Sequence, residues 1–171
     1  MNAETAQPDG GVLAMLEKLA IGIAAAALLG MVVVEGWQVI ARYVLNDSPG
    51  WTEPMALLCL GTAMMFGAAA GVRRERHFAF SLLVGIMAAP LQRAIRAACH
   101  ALVAALGAFL GWHGGVLMID GRDVAMAGTA LPQGAMFAPL CFGGALIVVF
   151  ALERLVVELR RVPAPAPAER A

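Results

Sequence analysis

Apolar positions dominate this chain in long blocks, and polar residues gather in the gaps between them. The blocks run from about Leu19 to Ala41, Pro54 to Val72, Ala97 to Met118 and Leu131 to Leu152. Each has the roughly 20 residues that a helix needs to cross about 30 Å of hydrocarbon. A fifth apolar run, 78–90, is too short for a comfortable crossing. Arginines flank it on both sides (Arg73, Arg74 and Arg76 before it, Arg93 and Arg96 after it). That pattern predicts an interfacial amphipathic helix ending near Pro90, with its basic flanks among anionic headgroups. The predicted class is an all-α integral membrane protein. Its four transmembrane helices form a single domain over 1–160, and 161–171 form a flexible Pro/Ala-rich tail.

Composition agrees with this pattern. The 171 residues are 61% hydrophobic and 14% charged, with a mean hydropathy of +0.79. A soluble domain carries about 25% charged residues. The formal net charge is zero, so nothing suggests a nucleic-acid partner. The three cysteines, Cys59, Cys99 and Cys141, are isolated within apolar blocks, which suits small buried hydrophobes. They have no CxxC or Cys-His spacing to suggest a metal or redox site. The N-terminus is acidic and lacks the positive region of a secretory signal, so the first span is expected to be retained.

Charge placement predicts direction. With four crossings, ten Lys and Arg residues fall on the side of the termini and the 73–96 connection; only Arg42 and Arg122 fall on the other. The positive-inside rule then puts both termini in the cytoplasm. Trp37, Tyr43, Trp51 and Trp112 all fall at the outer interface in this topology, where amphipathic rings are favoured.

Few polar residues enter the spans. Glu35 lies 17 residues beyond Lys18, about 25 Å along a helix. This places it near the outer edge of the hydrocarbon, where it is either solvated, paired with Arg42 on the same face, or in contact with a partner. His100 and His113 share the third span, and no other span offers a second histidine for haem. No cofactor or metal is expected. Small residues recur at four-residue spacing in Gly22/Ala26/Gly30, Gly67/Gly71 and Gly107/Gly111/Gly115. Such rows let helices approach closely, within the chain or against a partner. The turn at Asn46–Gly50 has strong turn chemistry. Thr52 is expected to cap the next helix, with Glu53 at its positive end and Pro54 in its first turn. No Walker motif, catalytic triad or HExxH sequence is present, and no enzyme activity is expected.

R-Y-V-L-N-D-S-P-G-W-T-E, followed by F-G-A-A-A-G-V-R-R-E-R-H-F, resembles the DctQ-like small membrane subunit of tripartite ATP-independent periplasmic (TRAP) transporters. The matching residues are Arg42, Tyr43, Trp51, Thr52, Glu53, Phe66, Gly67, Ala68, Ala69, Arg73 and His77. Leu131, Pro132 and Pro139 resemble the family's entry to its fourth helix. Pro54 stands where the family often has a second acid. The resemblance covers about residues 30–150. It implies a multi-pass bacterial inner-membrane subunit, bound to a large elevator-type permease that holds the substrate and sodium sites. A periplasmic binding protein would deliver the substrate, typically an organic acid, and lipids would surround the scaffold. Asp47, Asp120, Arg122 and Asp123, together with Glu35, are candidate partner contacts. Two other readings are a self-sufficient proton-coupled exporter using Glu35, and a haem-binding anchor using His100 or His113.

Overall fold

The computed structural model describes residues 11–74 and 89–160. Within them are four long helices, α1 (Val12–Tyr43), α2 (Thr52–Arg74), α3 (Ala89–Asp120) and α4 (Ala138–Arg160). A 3₁₀ turn, Gln133–Phe137, leads into α4. All four are long and apolar enough to cross a membrane. Among the described residues there is no strand, only an isolated bridge between Ala125 and Pro132.

The helices extend beyond their apolar blocks. At about 1.5 Å per residue, the 32 residues of α1 are longer than the hydrocarbon is thick, so the turns that carry Glu17 and Lys18 extend past one edge. α3 likewise begins at Ala89 rather than near Ala97. Pro90, read from sequence as the end of an interfacial helix, instead lies in the first turn of α3, where a missing N–H costs no helical hydrogen bond. The rest of that predicted interfacial helix, 78–88, lies outside the described residues, as does the 161–171 tail.

α2 and α4 are the central pair; α1 packs on α2, and α3 packs on α4. Burial follows this order, with α1 and α3 the least covered of the four. The apolar core is small and brings all four helices together. Ala69, Ile147 and Phe150 form it, with Leu13 and Leu16 of α1 and Val103 of α3 packed around them.

α3 and α4 approach each other closely. A Cβ on Gly144 would lie 2.6 Å from the Gly111 nitrogen, and one on Gly114 would lie 2.7 Å from the Cys141 nitrogen. Hydrogen in place of a side chain lets the two backbones meet there, as small-residue packing in lipid requires.

Candidate interaction site

The densest polar cluster joins α1, α2 and α4 at the end where α1 begins. Arg73 is 4% exposed. Its Nη1 donates to Glu17 Oε2 at 2.5 Å, and its Nε to Glu153 Oε2 at 2.9 Å. Arg74 Nε donates to the other Glu17 oxygen at 2.5 Å. Arg154 Nη2 donates to the Arg73 carbonyl, and the Arg73 guanidinium lies 6.0 Å from the Phe150 ring centroid. One buried cation therefore has carboxylates from two other helices. The sequence reading grouped Arg73 with arginines facing headgroups; here it turns inward and Arg74 remains exposed. Glu17 and Glu153 escaped notice, although an acid at one end of each of two spans was a usable signal. His77 lies outside the described residues.

At the opposite end, two connections meet. Asn46 adopts a left-handed φ of 52°, a conformation asparagine tolerates better than most residues. The Asp47 N–H donates to the Ala41 carbonyl at 3.0 Å, closing the end of α1. Thr52 is fully buried as the first residue of α2. Its hydroxyl donates to the Pro49 carbonyl at 2.9 Å. It thus ties down the turn instead of accepting a helix N–H as a cap, because the helix already includes it. Gly50 of this turn touches Gly128 of the 121–132 connection. Gly128 has φ +74°, and a Cβ there would lie 2.4 Å from the Gly50 carbonyl carbon. The second connection is held by Met126 N–H to Leu131 O at 3.0 Å and Gln133 N–H to Val124 O at 2.8 Å. The two connections thus form one joined surface.

That surface displays most of the residues singled out in the sequence. Asp47, Glu53, Asp120, Arg122 and Asp123 are all exposed. Arg122 and Asp123 form an exposed pair at 3.4 Å. Trp37, Tyr43, Trp51 and Trp112 are exposed as well, as are Glu35 and Arg42, with no ion pair between them.

The three small-residue rows behave differently. Gly107 and Gly111 pack against α4, whereas Gly22, Gly67 and Gly71 have no atom within 4 Å of a built Cβ. His100 is half-buried. His113 is exposed beside Phe109, at 4.3 Å between ring centroids. Among the described residues, no group of three His, Cys, Asp or Glu side chains could hold a metal ion.

Four helices long and apolar enough to span, with polar groups concentrated at the two ends, define a multi-pass helical membrane protein. The family described as "Tripartite ATP-independent periplasmic transporters, DctQ component" matches residues 31–161. The chain belongs to this family, the small permease component of TRAP transporters. No curated protein matches it.

Proposed function

We propose that this chain is a scaffold subunit that flanks a large elevator-type permease in sodium-coupled uptake of an organic acid. A periplasmic protein delivers that acid. One observation carries the reading: among the described residues, the buried polar side chains (Glu17, Thr52, Arg73 and Glu158) all belong to helix ends. A self-sufficient carrier places polar groups at mid-depth, often on interrupted helices. Here α1 to α4 run unbroken, so the substrate and sodium sites belong to the partner. The open surfaces at Gly22, Gly67 and Gly71 support close approach by that partner's helices.

Both termini lie in the cytoplasm in this reading, which puts the joined surface of Asp47, Asp120, Arg122 and Asp123 on the periplasmic side. Its exposed charges suit docking of the binding protein. The deciding experiment is reconstitution into proteoliposomes. The chain alone should give no uptake, and uptake should appear with the large permease and binding protein present. Transport by this polypeptide alone would overturn the proposal.

A further inference from the structure

α1 lies at one edge of the bundle and packs chiefly on α2, with Ala20, Ala24 and Ala41 buried. Gly22 stands two residues from both Ala20 and Ala24, about 200° around the helix from each, so it faces away from the covered side. Gly22, Leu29, Gly36 and Tyr43 recur on that open side at intervals of seven. Ala25 and Ala26, Val32 and Val33, and Val39 and Ile40 fill the places between them. Every one of these residues is exposed. A seam of this period stays in contact with a neighbouring helix that crosses at about 20° in the left-handed sense.

The seam has vacant notches and one polar end. A Cβ built on Gly22 or Gly36 meets nothing within 4 Å. An open depression around Gly22 is lined by Met15, Lys18, Leu19, Ile23 and Ala26. Elsewhere the small residues are already used. Gly107, Gly111 and Gly114 of α3 are filled by α4, and on α2 the row through Gly67 is part-covered, Leu60 and Gly71 being half-buried. Lys18 is exposed, and the positions three and four residues either side of it (Ala14, Met15, Ile21 and Gly22) carry no acid. Its neighbour Glu17 is held by Arg73 and Arg74.

We propose that this seam of α1 is the face on which the large permease packs, through one spanning helix that crosses at about 20° and carries a carboxylate level with Lys18. The inference rests on the scaffold reading above and adds to it the face, the crossing geometry and the polar match. The family is one component of a tripartite transporter, so a partner exists for the seam to meet. Two parallel copies of this chain about a twofold axis would instead set Lys18 against Lys18, and like charges facing each other disfavour that pair. A fluid acyl chain makes no use of notches two heptads apart, whereas the side chains of a helix fill them.

Photo-crosslinking tests this in membranes that hold the full chain and the large permease together. Benzoylphenylalanine placed at Leu29 or Val33 of α1 should join the two subunits; at Leu106 or Phe109 of α3 it should not. The Gly22→Leu/Gly36→Leu variant should lower recovery of the permease by co-purification about tenfold. The same variant should leave the melting temperature of the isolated chain unchanged, because both sites are open. Lys18→Glu should lower recovery about threefold and Lys18→Arg should preserve it. Equal crosslinking from α3, full recovery with the glycine pair, or full recovery with Lys18→Glu would each overturn the proposal. So would α1 products at twice the mass of this chain, which assign the seam to a second copy, or products with lipid alone. Co-purification of the wild-type subunits without α1 crosslinks would remove this face only; failure to co-purify at all would remove the scaffold reading as well.

Discussion

Glu17 of α1 and Arg73 of α2, 56 residues apart in sequence, meet at 2.5 Å with both side chains less than a tenth exposed. Glu153 of α4 completes the contact from the other side. The cluster sits beside the small core of Ala69, Ile147 and Phe150, so charge pairing and apolar packing both tie α1, α2 and α4 together.

Removing one member of this cluster should cost more than removing an exposed pair. Arg73→Ala leaves Glu17 and Glu153 facing each other without their shared cation. A loss of about 3–5 kcal/mol is expected for breaking a buried pair in this way. Asp123→Ala, which removes the exposed partner of Arg122, should change stability by less than about 1 kcal/mol. Thermal unfolding in detergent compares the two, and similar melting temperatures for both variants would refute the ranking.

Packed and open glycines should separate by assay. Gly144→Ala drives a methyl group into the Gly111 backbone and should destabilise the isolated chain by about 1–3 kcal/mol. Gly67→Leu meets open space and should leave the isolated chain unchanged. If Gly67 faces the large permease, the same variant should reduce co-purification of the two subunits. Full recovery of the complex with Gly67→Leu would remove that face from the interface.

Gly128→Ala combines a strained positive φ with a methyl group aimed at the Gly50 carbonyl. The two connections should separate, making 121–132 more sensitive to limited proteolysis while α1 to α4 remain helical. Unchanged cleavage would mean that the Gly50–Gly128 contact does not hold the surface together.

Charge reversal at Asp47, Asp120 and Asp123 should weaken uptake by the complete transporter, with subunit assembly intact. Wild-type uptake in the triple variant would exclude these residues from docking.

Glu35→Gln should leave both assembly and uptake unchanged. Glu35 is exposed on α1, where an interfacial carboxylate can be solvated at little cost. Loss of sodium- or proton-dependence in this variant would instead give it a part in transport.

Much of the architecture was legible in the chain because membrane crossing is a one-dimensional constraint. Every backbone polar group must be satisfied within its own segment, so runs of apolar residues such as Leu19–Ala41 mark helices directly. The Arg42–Glu53 and Arg73–His77 signatures also carried the family likeness. Helix ends were less legible. Hydropathy reports where hydrocarbon ends, whereas hydrogen bonding carries α1 back to Val12 and α3 back to Ala89.

The candidate sites depended more on tertiary structure. Arg73 and Arg74 are adjacent and chemically alike, yet only Arg73 turns inward. Successive helical residues point about 100° apart, and the packing of α1 and α4 decides which direction is buried. The same holds for glycines: Gly67 and Gly111 stand in similar rows, but α4 covers only the latter. The sequence by itself determined that this chain is an unbroken set of apolar helices with polar ends, because each helix meets the demands of lipid alone. Tertiary structure decided which charges pair, which small residues are already used and which surfaces stay open. Those outcomes depend on distances between segments far apart in the chain, and no local pattern encodes them.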